Sequence, residues 1–181
     1  MKDFNRRSFI RGSIAAGAGV ALAGYATGIK PHAHVIGANE DVRVAVIGFS
    51  NQGRYHIYKL QNIPGVRIVA LCDTDEEVLS GKRVKDFLKG QFGQEEKFRH
   101  HGEKIETYTD ARRVFDRDDI DAVVIVTPDH WHALLGIWAC QSGKDAYIEK
   151  PVSHNVWEGF KLVEAARKYK RIVASGTQRR S

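Results

Sequence analysis

Short apolar, β-branched segments alternate with helical segments along the chain from Asp41 onward. Such alternation requires crossover connections, which are right-handed and place the strands parallel. Helices on both faces then bury the strands, and buried strands are continuous apolar runs. We therefore predict an α/β fold with a doubly wound parallel sheet of six strands in the order 3-2-1-4-5-6. The predicted strands are Val42–Ile47, Val66–Cys72, Ile105–Tyr108, Asp121–Val126, Ala146–Glu149 and Arg171–Ala174.

The segments between these strands carry helical spacing or turn residues, and together they define one domain over residues 41–181. The polar, glycine-containing stretch Gly90–Lys104 is predicted to be an exposed loop. The predicted helices are Arg54–Asn62, Asp75 to about Lys89, a segment from a cap at Thr109 or Asp110 to about Phe115, Trp131–Ser142 and Asn155–Tyr169.

The first 38 residues have the pattern of a twin-arginine signal peptide. Arg6-Arg7 is followed by Phe9-Ile10 and by the run Gly12–Ile29, in which seven residues are Gly, Ser or Thr. A stable membrane span needs about 20 predominantly apolar residues, so we favour a cleaved signal over an uncleaved anchor. Because this route exports folded proteins, it predicts a periplasmic or other extracytoplasmic protein that carries a tightly held cofactor.

The basic charge of the chain lies mostly in this leader. The net charge is +6, and residues 1–38 contribute five basic residues and one acidic residue. The remaining net charge of +2 is too balanced to predict a nucleic-acid partner. Cys72 and Cys140 are too few for a disulfide framework and lie in apolar stretches, so we interpret them as buried free thiols.

A glycine-containing turn, Gly48-Phe49-Ser50-Asn51-Gln52-Gly53, directly follows the first strand and opens the first helix. This is the position of the dinucleotide-binding turn of a Rossmann fold, where free helix N–H groups face the pyrophosphate. The central glycine of that motif is replaced here by Ser50, which weakens the motif taken alone; a simple tight turn is the alternative interpretation.

Asp73 ends the second strand, 20 residues after Gly53. A carboxylate at this position accepts hydrogen bonds from the adenosine ribose. The following Thr74-Asp75-Glu76-Glu77 is acidic and would repel a 2′-phosphate, so NAD is favoured over NADP. Alternatively, Asp73 caps the next helix, although Asp75 competes for that role.

Two further motifs end the fourth and fifth strands, where ligands bind in open α/β sheets. The fourth strand leads into Thr127-Pro128-Asp129-His130-Trp131-His132 and the fifth into Glu149-Lys150-Pro151. The first motif could instead hold a metal through Asp129, His130 and His132, but no further ligand supports a metal site. Helix capping by Asp129, with packed rings after it, is another alternative. Lys150 is a candidate for proton transfer at a substrate hydroxyl.

In this order, the motifs over residues 41–181 resemble the Gfo/Idh/MocA oxidoreductase family, and Glu149-Lys150-Pro151 is the most specific of them. The resemblance implies an NAD(P)-binding Rossmann domain in which Lys150 is the active-site lysine and Pro151 fixes the turn beside the nicotinamide. It also implies a C-terminal substrate domain, which we expect to be absent from this chain. The residues implied to bind the cofactor are Gly48, Phe49, Ser50, Asn51, Gln52, Gly53, Asp73, Thr127, Pro128, His132, Glu149, Lys150 and Pro151.

Three functions stay open at this point. The first is hydride transfer between NAD and a secondary hydroxyl of a sugar or cyclitol. The second is redox-neutral glycoside hydrolysis that uses NAD transiently. The third is a truncated, catalytically inactive fragment that binds nucleotide. For the full-length form we expect a sugar-like substrate and a homo-oligomer, without a stable membrane span.

Overall fold

The structure, a computed structural model, describes residues 41–80, 82 and 105–177. Six parallel strands form one sheet in the order β3-β2-β1-β4-β5-β6, which confirms the predicted fold and strand order. The strands are β1 Val42–Ile47, β2 Val66–Cys72, β3 Glu106–Tyr108, β4 Ala122–Ile125, β5 Asp145–Glu149 and β6 Val173–Gly176.

Five helices connect the described strands. They are α1 Gln52–Gln61, α2 Glu76–Leu79, α3 Ala111–Phe115, α4 Asp129–Gln141 and α5 Val156–Tyr169. Asp75, Asp110 and Asn155 cap α2, α3 and α5, because each side chain accepts a hydrogen bond from a backbone N–H in the first turn. The predicted leader, the predicted loop Gly90–Lys104 and the predicted continuation of α2 to about Lys89 lie outside the described residues.

Several element boundaries differ from the sequence prediction by one or two residues. Helix α4 begins at Asp129 rather than Trp131, and α1 begins at Gln52 rather than Arg54. Strand β6 is shifted towards the C-terminus because its hydrogen-bonded register runs from Ala146–Val173 to Glu149–Gly176. Ser175 and Gly176 thus belong to the strand, although neither residue carries an apolar side chain.

Alternate side chains of the central strands enter two apolar layers, one on each face of the sheet. Helices α1 and α2 cover one layer, in which Val46, Phe49 and Ile57 are fully buried. Helices α3, α4 and α5 cover the other, around Ile125 and Ile148. The two layers hold the strands rigidly, so the loops that follow their carboxyl ends have fixed positions.

Both cysteines are buried and unpaired, which confirms their interpretation as free thiols. Burial, followed by the nearby charge of Asp73, raises the pKa of the Cys72 thiol to about 12. Burial also raises the pKa of Cys140. Within the part of the chain that the structure describes, no helix is long and apolar enough to cross a membrane.

We expect neither thiol to react with iodoacetamide at pH 8 while the protein is folded, because the thiolate is the reactive form. In urea both should react, and intact mass should rise by two carbamidomethyl groups. Alkylation of the native protein at Cys72 would contradict the burial and raised pKa of this thiol.

Candidate cofactor-binding site

A cavity of about 770 Å³ opens at the carboxyl edge of the sheet, where the chain leaves β1 and β4 in opposite directions. Ligands bind at this switch point in doubly wound folds because the diverging loops leave a crevice between them. Its lining comes from the ends of β1, β2, β3 and β4 and from α3 and α4. The lining residues are Ile47, Gly48, Ser50, Cys72, Asp73, Thr74, Thr109, Asp110, Ala111, Arg112, Val126, Thr127, Pro128, Trp131, Leu135 and Trp138.

The turn after β1 depends on two glycines. Gly48 has a φ of +84°, and a Cβ there would lie 2.8 Å from the backbone nitrogen of Thr127. A Cβ on Gly53 would lie 2.2 Å from the carbonyl oxygen of Gly48. Since both obstacles are backbone atoms, only glycine lets the turn pack against the loop after β4 and lets α1 start directly above it.

The first turn of α1 suits an anion. Its N-cap, Asn51, makes no side-chain hydrogen bond to the helix, and no acidic residue lies in the first turn. Ser50, Asn51 and Gln52 are exposed beside the cavity, whereas the Phe49 ring is buried in the core. The N–H groups at the start of α1 and the helix dipole therefore favour a negatively charged group here.

Asp73 joins the turn to the neighbouring strand. Its Oδ2 accepts a hydrogen bond from the Phe49 N–H at 3.0 Å, and its Oδ1 accepts one from the Asp75 N–H at 3.1 Å. The cap of α2 is Asp75, which accepts from the Glu77 N–H at 2.9 Å. Asp73 is thus free of the capping role that sequence reasoning left open, and it lines the cavity.

Arg112 also lines this cavity, a position that sequence reasoning missed. Its guanidinium donates to both carboxylate oxygens of Asp110, with Nη2 and Oδ2 2.7 Å apart. These hydrogen bonds lower the pKa of Asp110 to about 2. The arginine therefore already has a carboxylate partner in the folded protein.

The loop after β4 contributes an unsatisfied polar group. Thr127 Oγ1 is shielded from solvent, and it has no hydrogen-bond partner among the described residues. Thr127 and the exposed Pro128 both line the cavity. A buried hydroxyl without a partner is costly, which makes it a candidate to bind a ligand in this cavity.

His132 connects this loop to the turn after β5. The ring is 2% exposed, and its two nitrogens lie 2.6 Å from the carbonyl oxygens of Thr127 and Pro151. The sequence placed His132 at the cofactor, but the side chain lies beneath the two loops and is not part of the cavity lining. It holds together the backbone of two predicted site residues.

Glu149 is also directed away from the cavity. The residue is 4% exposed; its Oε1 lies 2.6 Å from His56 Nε2, and its Oε2 accepts from the Lys150 N–H at 3.0 Å. Sequence reasoning missed His56, although a signal was present: Gly53, His56, Ile57 and Leu60 follow the spacing of the inward face of α1.

Lys150 and Pro151 are exposed at the turn after β5, beside the cavity lining rather than within it. Across the described residues, no hydrogen bond or ion pair involves the Lys150 ammonium. The structure thus brings Gly48, Ser50, Asp73, Thr127 and Pro128 together in one cavity. The Lys150 side chain is exposed to solvent and follows β5 directly.

Asp129 pairs with histidines on the surface near the start of α4. Its carboxylate oxygens lie 3.2 Å from His154 Nδ1 and 3.8 Å from His130 Nδ1, and the contact with His154 lowers the pKa of Asp129. The His132 ring belongs to a different, buried environment. Over residues 41–80, 82 and 105–177, no group of three or more His, Cys, Asp or Glu residues could hold a metal ion.

Comparison with known families gives two matches. A model of the Gfo/Idh/MocA oxidoreductases, described as an oxidoreductase family with an NAD-binding Rossmann fold, matches residues 42–177. A model of the twin-arginine translocation pathway signal sequence matches residues 3–23. The second match supports twin-arginine export of the chain.

Individual relatives cover nearly the whole chain. A glycosyl hydrolase family 109 protein 2 of Shewanella sp. (strain ANA-3) is 34% identical over 178 residues, which is 92% of this chain and 38% of that protein. A glycosyl hydrolase family 109 protein of Shewanella baltica (strain OS185) is 33% identical over 183 residues, with the same coverage. The chain therefore spans about 38% of the length of these curated relatives.

A solved structure has the same fold. The myo-inositol 2-dehydrogenase of Lactobacillus plantarum is 29% identical, with a TM-score of 0.60. The similarity covers 78% of this chain and 38% of the dehydrogenase.

We expect Gly53→Ala to lower the free energy of unfolding by roughly 1–3 kcal/mol, because the added methyl group meets the Gly48 carbonyl. Gly159→Ala is the control: in α5, its Cβ would meet only the Ser153 side chain, at 3.0 Å. Helix propensity should leave that variant unchanged or up to about 1 kcal/mol more stable. Urea denaturation measures both, and equal stability of the two variants would contradict the close packing at Gly53.

Proposed function

The chain belongs to the Gfo/Idh/MocA oxidoreductase family, and we propose that its cavity binds NAD for a reaction at a secondary hydroxyl of a sugar or cyclitol. The observation that carries this proposal is the meeting of the glycine turn, Asp73 and the unpartnered Thr127 hydroxyl in one cavity. The family match makes the chain an NAD-binding Rossmann domain. We propose which residues hold the cofactor, and we also propose the class of substrate.

The residues around the cavity fit a dinucleotide. The first turn of α1, with Ser50 beside it, would hold the pyrophosphate through backbone N–H groups. The absence of side chains at Gly48 and Gly53 lets a ligand approach this backbone closely. Thr127 Oγ1, which is shielded from solvent, would gain the hydrogen bond that it lacks in the described structure.

Asp73 would select NAD over NADP. Its carboxylate lies in the cavity at the end of β2, where the adenosine ribose hydroxyls would donate to it. A 2′-phosphate at that position would meet this charge and those of Asp75, Glu76 and Glu77. Arg112 offers little compensation because its guanidinium is paired with Asp110.

Lys150 is the proposed proton acceptor. Bound NAD⁺ would supply the acceptor for the hydride that leaves the carbinol carbon of the substrate. The Lys150 Nζ, as the free amine, would take the hydroxyl proton, so that the alcohol becomes a carbonyl and loses two electrons and two hydrogens. The rest of the longer protein would hold the sugar and enclose the exposed lysine, since this chain spans only 38% of its relatives' length.

Glycoside hydrolysis is the second candidate, and the names of the curated relatives favour it. In that reaction a sugar hydroxyl is oxidised, which acidifies a neighbouring C–H and allows the leaving group to be eliminated. Water then adds, and the hydride returns to the sugar, so the overall reaction needs no external oxidant. The same cavity and the same lysine would serve both reactions.

Export by the twin-arginine route is compatible with a cofactor that stays bound to the protein. The leader matches a twin-arginine signal, a route that we propose delivers the protein to the periplasm with its cofactor already bound. Redox-neutral chemistry suits that location because the cofactor is regenerated in each turnover.

Binding of NAD and NADP to the 181-residue chain, measured by calorimetry, tests the proposed site. We expect NAD to bind more tightly than NADP. Asp73→Ser should reduce the ratio of the two affinities about tenfold, because each 1.4 kcal/mol of lost discrimination is a factor of ten. The comparison variant Asp75→Ser keeps a side chain that can cap α2 and removes a charge that does not line the cavity, so it should reduce the ratio less than Asp73→Ser does. If the unaltered chain binds NADP as tightly as NAD, the role of Asp73 is wrong.

The two reactions can be distinguished with the longer protein and a nitrophenyl glycoside. Release of free sugar without added NAD or electron acceptor is expected for glycoside hydrolysis. A strict need for an acceptor, with formation of a ketone, is expected for the dehydrogenase. Lys150→Met should abolish either activity while the affinity for NAD stays within about threefold, and full turnover by this variant would refute the role of Lys150.

A further inference from the structure

A buried pair of polar side chains, His56 and Glu149, lies beneath the turn that carries Lys150. His56 belongs to α1, the helix that follows the glycine turn, and Glu149 is the last residue of β5. The two residues are 93 positions apart in the chain, and β4 separates β1 from β5 in the sheet. The pair therefore connects the helix at the phosphate end of the proposed site with the turn at its nicotinamide end.

Both oxygens of the Glu149 carboxylate have defined partners. Oε1 lies 2.6 Å from His56 Nε2, and Oε2 accepts from the backbone N–H of Lys150 at 3.0 Å. Because a carboxylate only accepts hydrogen bonds, the His56 Nε2 must carry the hydrogen. His56 thus holds Oε1 in place. Because the two oxygens belong to one planar carboxylate, His56 also orients Oε2, which accepts from the Lys150 N–H.

The surroundings keep this carboxylate in place. The side chains of His56 and Glu149 are 14% and 6% exposed. The centroids of the Tyr147 and His56 rings are 5.4 Å apart. A Cβ on Gly176, which is opposite Glu149 in β6, would lie 2.7 Å from the Tyr147 hydroxyl and 3.2 Å from the Glu149 carboxyl carbon. The space is filled, so the carboxylate has little freedom to turn while His56 is present.

We propose that His56 is a positioning residue: through Glu149 it holds the Lys150-Pro151 turn at the nicotinamide end of the NAD site. This inference rests on the proposed function and adds a residue that none of the sequence motifs contains. Without His56, Oε1 loses this donor, the carboxylate is held less firmly, and the acceptor of the Lys150 N–H is less well fixed. The turn then no longer presents one surface to the nicotinamide, while the glycine turn and Asp73 keep their own contacts.

A comparison of NAD with ADP-ribose tests this role. ADP-ribose has the adenosine and pyrophosphate of NAD but lacks the nicotinamide, so the ratio of the two affinities isolates the nicotinamide end. In the 181-residue chain we expect NAD to bind more tightly than ADP-ribose. His56→Ala should reduce this ratio about fivefold to tenfold, as expected for the loss of one hydrogen bond to a charged group. The affinity for ADP-ribose should stay within about twofold of the original value.

Two further variants separate positioning from general damage. His56→Gln keeps an N–H donor that can reach Glu149, and it should restore most of the ratio. Lys59→Ala changes an exposed residue of the same helix and should leave the ratio and both affinities unchanged. Thermal unfolding of each variant shows which ones are folded at the assay temperature. If His56→Ala is unfolded, the comparison is made between His56→Leu and His56→Gln.

The outcomes divide clearly. An unchanged NAD to ADP-ribose ratio in folded His56→Ala would overturn the positioning role, and so would an equal loss of both affinities. Equal affinity of the unaltered chain for NAD and ADP-ribose would show that the turn adds nothing to nicotinamide binding, and it would overturn the inference while leaving the NAD site intact. Binding of neither nucleotide would contradict the proposed function itself, and the inference with it.

Discussion

Close backbone approach at the carboxyl end of β1 is the constraint on which the rest of the site depends. Gly48 lies against the backbone of Thr127, and Gly53 lies against Gly48, with no room for a Cβ at either position. The two contacts bring the end of β1, the start of α1 and the end of β4 to one point. A cavity forms there because the connections then diverge to opposite faces of the sheet.

Buried or partly buried polar side chains hold the loops around this cavity. Asp73 holds the backbone of Phe49, His132 lies between the carbonyl groups of Thr127 and Pro151, and Glu149 holds the Lys150 N–H. In each case the buried group acts on backbone atoms of a neighbouring segment. Such contacts are costly to break because the partner remains buried without a hydrogen bond. The backbone N–H of Lys150 is therefore held in place, whereas the Lys150 side chain is exposed.

Membership of the Gfo/Idh/MocA family and the composition of the cavity lead to the same type of chemistry. The proposed dinucleotide site at the switch point, with Lys150 at its proposed nicotinamide end, would suit hydride removal from a carbinol together with loss of the hydroxyl proton. Whether that oxidation is the net reaction or the first step of glycoside cleavage depends on groups that hold the sugar. Under either proposal, the same NAD site and the same lysine would serve the oxidation step.

The sequence by itself determined the sheet. Apolar runs place β1 and β2 at their observed bounds, and the alternation of strands and helices predicts a doubly wound sheet, whose expected order the structure has. The glycine turn and Asp73 could also be located, because their roles depend on their distance from a strand end. The end of β6 could not be, since Ser175 and Gly176 are strand residues only through their pairing with Ile148 and Glu149. Likewise, only the tertiary structure joined His56 to Glu149 and placed Arg112 in the same cavity lining as Asp73. Contacts between residues far apart in the chain depend on how the helices pack on the sheet and on the direction of each side chain, and local sequence encodes neither.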